Sequence, residues 1–218
     1  MIRNLLIFIL GFAFVLPIRA EIMGDILLGN VETSDTSVSA SYTCFFCATN
    51  TATRAVSFEQ SGFAGVRYVH WSERQPWLGG GFEISAFSAN DGSTVDIEVL
   101  SFSAQGFMRK SSFISDAYPY GRLQPYIGLG LFIFTGSANV DFTPDISTQL
   151  NVDGEGMGLG MMAGMRWLFT EKVALLLEAR STRVSMNFDN DFYGVSLGES
   201  VDAKLSSAYY LLGVSMKF

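Results

Sequence analysis

The sequence has few of the residues from which most metal and catalytic sites are built. It contains one His and two Cys among 218 residues, so a zinc site with four Cys or His ligands cannot form within one chain. Charged residues make up only 16 %, and acidic residues outnumber basic ones by 21 to 14. The resulting net charge of −7 argues against nucleic acid as a partner, because nucleic-acid binding depends on basic surfaces.

Long apolar runs are also missing after the first 20 residues, although hydrophobic residues make up 49 % of the chain. A typical maximum is Val173 to Leu177, well short of the roughly 18 apolar residues that a membrane-spanning helix requires. Lipid tolerates no unpaired backbone polar groups, so a hydrophobic chain without a spanning helix favours a closed barrel of strands. A secreted β-sandwich is the alternative interpretation.

The N-terminus has the pattern of an export signal. Arg3 precedes a continuous apolar stretch from Leu5 to Leu16, and Ala20 supplies a small residue for cleavage. This arrangement predicts a secretory signal peptide over residues 1–20. The mature domain is then expected to cover residues 21–218.

Alternating apolar residues, which indicate strands with two different faces, recur through the mature domain. They predict an all-β fold, an eight-stranded antiparallel up-and-down transmembrane β-barrel. The long linkers Glu32–Arg54, Gly136–Gly156 and Asp189–Ser200 are expected on the external side, because such barrels have short periplasmic turns. The predicted strands are about Ile22–Val31, Ala55–Trp71, Trp77–Ala89, Thr94–Arg109, Arg122–Phe134, Met157–Phe169, Val173–Phe188 and Val201–Phe218.

The alternation also sorts side chains between lipid and lumen. A charge on the lipid face at mid-membrane costs about 2–4 kcal/mol, so charged residues within strands should point inward. An eight-stranded barrel is just wide enough for its own side chains to fill it. These charges therefore either plug the barrel as ion pairs or line a narrow path. The predicted lumenal polar residues are Arg67, Glu83, Gln124, Arg166, Glu178 and Arg180.

The fourth predicted strand follows the alternation only in its second half. Leu100, Phe102 and Met108 share the lipid-facing parity, whereas Ile97 and Val99 have the opposite one. This disagreement predicts a β-bulge near Val99, or an extension of the strand beyond the membrane.

Two short motifs have structural interpretations. Cys44 and Cys47 flank two Phe residues in the first external loop, and in an oxidising compartment they are predicted to form a disulfide. His70 and Trp71 lie at the end of a strand, where an interfacial aromatic girdle is expected. A carboxylate pair such as Asp153 and Glu155 is either solvated or bound to divalent cations that bridge lipopolysaccharide.

The segments Gly65–Gly79, Arg122–Gly130 and Phe169–Glu178, with the terminal strand, resemble the small bacterial outer-membrane β-barrel family of OmpA-like and porin-like proteins. The resemblance covers about residues 55–218. In that family an alternating last strand that ends on an aromatic residue is the assembly signal. The resemblance assigns this role to Tyr210, Leu212, Val214, Met216 and Phe218.

The resemblance implies a location in the bacterial outer membrane and no particular substrate. We therefore predict a non-enzymatic integral barrel with a structural or loop-mediated interaction role, and no catalytic residue, cofactor or metal. The alternative is a narrow OmpW-like channel for small or apolar solutes, since Phe132 and Phe134 face inward. The expected partners are outer-membrane lipid, lipopolysaccharide and the assembly machinery, and the protein is expected to be a monomer.

Overall fold

The computed structural model describes residues 21–34, 36–42, 50–56, 59–90, 95–141, 149–192 and 195–218. Within these ranges there is no helix long and apolar enough to cross a membrane. The predicted signal peptide and the pair Cys44 and Cys47 lie outside the described residues. The strands are β1 (Glu21–Thr33), β2 (Thr36–Tyr42), β3 (Asn50–Val56), β4 (Ser61–Trp71), β5 (Leu78–Asn90), β6 (Val95–Arg109), β7 (Leu123–Asp141), β8 (Gln149–Leu168), β9 (Val173–Phe192) and β10 (Val195–Lys217).

Strands β1 and β4 to β10 form a closed antiparallel barrel. The sheet runs in the order β1-β4-β5-β6-β7-β8-β9-β10, and β1 closes it by pairing with β10. Asp25 on β1, for example, is opposite Arg67 on β4 and Ser215 on β10. Closure removes both sheet edges, so the backbone hydrogen bonds of the wall are made within the sheet. The predicted eight-stranded up-and-down fold is confirmed.

The two remaining strands lengthen the hairpin between β1 and β4. Strand β2 pairs with β10 over Val38–Ser41 and with β3 along its length. Part of the predicted linker Glu32–Arg54 therefore consists of strands. Ser, Thr and Ala make up most of this hairpin, so it continues the existing ladder without a hydrophobic alternation that the sequence would show.

The other long linkers are also shorter than predicted. Strand β7 continues to Asp141 and β8 begins at Gln149, while β9 continues to Phe192 and β10 begins at Val195. Where a strand extends past the apolar surface, neither of its faces has to be apolar. The period-two alternation in the sequence therefore fades although the strands stay paired. We call this side of the barrel the hairpin end.

The opposite side, the turn end, carries the connections at 72–77, 110–122 and 169–172. The longest of these is ordered by isolated bridges, Ser112 with Leu123 and Ser115 with Tyr118. Gly121 takes φ +86° where the chain returns to β7, and a Cβ there would stand 2.6 Å from the backbone of Ser112. The turn therefore requires glycine at this position.

Large apolar side chains cover the outer surface of the wall, with the parity that the sequence predicts. Tyr68 and Trp77 lie outward near the turn end, as expected for an aromatic girdle. Trp71 does not, because it shares the inward parity of Arg67 and is fully buried in the lumen. The outward apolar set includes Ile26, Leu28, Val66, Ile84, Leu100, Phe102, Met108, Ile127, Leu129, Leu131, Leu159, Met161, Leu177, Leu212 and Val214.

Strand β6 has no bulge near Val99. Its register is unbroken over Asp96–Met108 with β5 and over Val95–Arg109 with β7. Ile97 and Val99 are buried and point into the lumen, whereas Glu98 is exposed. The parity seemed to change because the lumen itself becomes apolar towards the hairpin end. Of the two predicted alternatives the bulge is therefore wrong, and the extension beyond the membrane stays a prediction.

Candidate functional site

An alternating chain of Arg and carboxylate side chains crosses the lumen at mid-height. Arg67 on β4 is opposite Asp25 on β1 and Glu83 on β5, so one wall presents a row of three charges. Arg166 on β8, and Glu178 and Arg180 on β9, reach these from the opposite wall. We call these six residues the arginine–carboxylate network.

Each carboxylate in this network contacts two arginines. Asp25 accepts from Arg67 Nε at 2.8 Å and from Arg166 Nη2 at 2.6 Å. Glu178 accepts from Arg67 Nη1 at 2.6 Å and from Arg180 Nη2 at 2.8 Å. The acid oxygens are therefore committed to charge-assisted hydrogen bonds, which are stronger than neutral ones.

Glu83 completes the network on the opposite side from Asp25. Its two oxygens accept from Arg180 Nη1 and Nη2, both at 2.6 Å, in a bidentate pair. Arg67 Nη1 lies 3.9 Å from the same carboxylate. Gln105 donates to it at 3.1 Å.

The network is balanced in charge and shielded from solvent. Three carboxylates face three guanidinium groups, and the side chains of these ion pairs are only 0–1 % exposed. Buried charges are tolerated only when they are paired and hydrogen-bonded. The arrangement neutralises itself and leaves none of these acid groups unpaired to act as a general base.

Tyr126 extends the network across β8. It is opposite Gly164, which in turn is opposite Glu178. The Tyr126 hydroxyl donates to Glu178 at 2.5 Å. A Cβ on Gly164 would lie 2.5 Å from the tyrosine ring tip, so the glycine makes room for the side chain that passes over it.

Aromatic rings lie against the guanidinium groups. Arg67 is 5.2 Å from the ring centroid of Phe107, and Arg166 is 5.3 Å from that of Tyr126. Arg180 lies 5.4 Å from Phe132, and it also contacts two further rings. Cation–π contacts of this kind are most favourable where water is excluded.

An aromatic layer fills the lumen between the network and the hairpin end. Its members are buried and meet mostly edge to face, at centroid distances of 5.6 to 6.3 Å. Ile97, Val99, Val184 and Met186 are also buried in this half of the barrel. The layer consists of Phe63, Phe87, Phe132, Phe134 and Tyr209.

A second, smaller ionic cluster lies at the turn end. Arg109 Nη2 is 2.6 Å from Glu21, and Arg109 Nη1 donates to Gln124 Oε1 at 2.9 Å. The Arg109 guanidinium stacks on Trp71 at 4.2 Å from the ring centroid. Lys217 Nζ reaches Glu21 at 3.4 Å from a partly exposed position. Both ends of the mid-lumen network are therefore covered by packed side chains.

Neither a protein-family model nor a curated protein sequence matches the chain. Its structure is similar to outer membrane protein OprG from Pseudomonas aeruginosa, with a TM-score of 0.57, 15 % identity, and coverage of 90 % of this chain and 95 % of that one. It is also similar to Neisserial surface protein A, with a TM-score of 0.50, 13 % identity, and coverage of 89 % and 97 %. The chain has the fold of the small outer-membrane β-barrels.

Within this barrel the structure brings all six of the predicted lumenal residues inside. Five of them, all but Gln124, belong to the arginine–carboxylate network. Gln124 is buried one layer lower, where it binds Arg109 and donates to the backbone of Gly121.

The sequence analysis missed Asp25, the sixth member of the network. The surrounding strand is apolar on both faces, with Met23 and Leu27 inward and Ile26 and Leu28 outward, so it shows no polar face. The rule that a charge avoids the lipid face places Asp25 inward once the register of β1 with β4 and β10 is known. The sequence analysis also did not predict that Tyr126 contacts the network or that Arg109 forms the cluster at the turn end.

The predicted assembly-signal residues line the outward face of the last strand. Tyr210, Leu212, Val214, Met216 and Phe218 are all exposed, and the Phe218 ring packs against Gly24 on β1. Their role in assembly stays a prediction. In the part of the barrel that the structure describes, no group of three or more His, Cys, Asp or Glu side chains is arranged to hold a metal ion.

Proposed function

We propose that this protein is an integral barrel of the bacterial outer membrane, without enzymatic activity. Its lumen is closed to solutes, and its interactions with other molecules are made at the hairpin end. The fold it shares with OprG, the outward apolar surface and the predicted export signal support the location.

The arginine–carboxylate network is the observation that carries the closed lumen. It joins the β1, β4 and β5 wall to the β8 and β9 wall through ion pairs that are shielded from water. A path for ions would require these groups to be hydrated or to separate, and separating a buried pair is costly. The aromatic layer above the network and the Arg109 cluster below it add further obstruction.

Conductance in planar bilayers tests the closed lumen. We expect no current steps from the purified wild-type barrel, and none from a Lys172→Ala control in an exposed turn. Steady steps in the wild type would contradict the proposal. Location is tested separately by fractionation, in which the protein should sediment with the outer membrane. Faster migration of the unheated protein on a gel reports that the barrel is folded.

A narrow channel for small apolar solutes is the second candidate, and the aromatic layer is the observation that favours it. This half of the lumen contains Phe132 and Phe134 and carries little charge. Uptake of an apolar fluorescent solute into vesicles, faster with wild type than with Phe132→Trp, would support this candidate. Equal uptake with the protein and with empty vesicles would exclude it.

A further inference from the structure

The outward face of β9 becomes polar earlier along the strand than the faces beside it. Ser181, Arg183 and Ser185 are exposed on this face. Arg183 is opposite Ser206 on β10 and Leu159 on β8. Ser206 is also exposed, so four polar side chains form a patch at the junction of two strands. We call it the Arg183 patch.

The patch stands at the hairpin-end border of the apolar surface. Arg183 follows Val173, the first residue of β9, by about ten residues, and about 9–11 tilted residues cross the apolar band of a membrane. Other strands change from apolar to polar outward residues at a comparable distance from the turn end. These border residues are Asn30, Glu32, Ser88, Glu98 and Thr135.

A groove on the outer wall leads up to this patch. It has a volume of about 1100 Å³ and is lined on its polar side by Ser181, Arg183, Ser185 and Ser206. Its apolar side chains are 41–69 % exposed, so they form an accessible apolar surface next to the Arg183 guanidinium. They are Leu129, Leu131, Met157, Leu159 and Met161.

The charge of Arg183 differs from that of the other border residues. Among the side chains that the structure describes, the other charged groups facing outward near this border are acidic: Glu32, Glu98, Asp153 and Glu155. Arg183 has no ion pair with a described carboxylate. A guanidinium at a membrane interface pairs well with phosphate, which it can bind through two parallel hydrogen bonds.

We propose that the Arg183 patch is a binding site for a phosphorylated lipid of the outer leaflet. Arg183 donates to the phosphate, the serine hydroxyls donate to its remaining oxygens, and an acyl chain lies along the apolar side of the groove. This inference rests on the proposed outer-membrane location. It names one place on the barrel where the lipid is held, whereas the described acidic border residues Glu32, Glu98, Asp153 and Glu155 repel the same headgroup.

Native mass spectrometry of the detergent-solubilised barrel tests the site, with bisphosphorylated lipid A as the probe. The same lipid with its phosphates removed is the matched ligand. The variants are Arg183→Ala, Arg183→Lys and Lys172→Ala, the last of which removes an exposed cation at the turn end. We expect about tenfold weaker binding to Arg183→Ala, since one charged hydrogen-bonding partner is lost. Binding to Arg183→Lys should be intermediate, because the charge is kept but the two parallel hydrogen bonds are not, and binding to Lys172→Ala should be near normal.

Two results would overturn the site. One is equal binding of lipid A to wild type and Arg183→Ala, and the other is equal binding of the phosphorylated and dephosphorylated lipids to wild type. Faster migration of unheated samples on a gel confirms that each variant is folded. The experiment uses purified protein, so it reports on Arg183 whatever the fractionation result. Failure of the lipid site would leave the proposed location and closed lumen untouched.

Discussion

Replacing Arg67 with Ala should strongly destabilise the barrel. Its guanidinium lies 2.8 Å from Asp25, 2.6 Å from Glu178 and 3.9 Å from Glu83, and its side chain is fully buried. Removal leaves three carboxylates facing two arginines. Breaking a buried ion pair from one side costs about 3–5 kcal/mol, because the remaining charge cannot be hydrated.

The free energy of unfolding can be measured by urea titration of the barrel in phospholipid vesicles. Tryptophan fluorescence reports the transition, and the gel-shifted fraction confirms it. Lys172→Ala, an exposed turn substitution, should leave the transition unchanged. A loss for Arg67→Ala no larger than that of this control would refute the reasoning, since it would mean that water already reaches the carboxylates.

A double variant sharpens the same prediction. Arg67→Met with Glu178→Gln removes one charge of each sign. Asp25 then keeps Arg166 at 2.6 Å, and Glu83 keeps Arg180 at 2.6 Å. The double variant should therefore be more stable than Arg67→Ala, because no charge is left without a partner. If the loss of the double variant equals the sum of the losses of Arg67→Met and Glu178→Gln, the two residues act independently and do not belong to one network.

Three further predictions concern other parts of the chain. Gly164→Ala should cost about 1–3 kcal/mol in the same titration, because its Cβ would collide with Tyr126, whereas Gly106→Ala, which meets nothing within 4 Å, should cost nothing. Phe218→Ala should lower the folded fraction in the outer membrane of expressing cells relative to Phe113→Ala, and equal fractions would reject the assembly role. Cys44 and Cys47 should resist alkylation until reduced, as intact-mass measurement would show; alkylation without reductant would exclude the disulfide.

The strands that cross the apolar band could be predicted from the sequence because their outward side chains must be apolar, whereas their inward side chains include polar and charged residues. Strand ends at the turn end agree closely: Trp71 and Arg109 end their strands as predicted, and Val173 begins one. At the hairpin end β7 and β9 run further than predicted, to Asp141 and Phe192, whereas β4 begins at Ser61 and not at the predicted Ala55. There neither face has to be apolar, so the alternation that marks a strand is lost while the backbone ladder persists.

Parity also predicted which charges point inward, but it could not predict their partners. Arg180 and Glu83 are far apart in the sequence and belong to strands on different sides of the lumen. Their pairing depends on the register around the whole closed sheet, since a shift by one residue would turn either side chain outward. The two misses have local causes: Asp25 lies on a strand that is apolar on both faces, and Trp71 was assigned to the aromatic girdle although it shares the inward parity of Arg67.

The sequence by itself determined the class of fold, the outward face of most strands and the inward position of the charged residues. These properties follow from the cost of placing charge or unpaired backbone in lipid, which acts locally and leaves a period-two pattern. Only the tertiary structure decided that three carboxylates and three arginines meet in one balanced network, and that Arg183 lies beside an apolar groove without an ion pair to a described carboxylate. Both depend on barrel closure and register, which bring together side chains from strands that no local pattern relates.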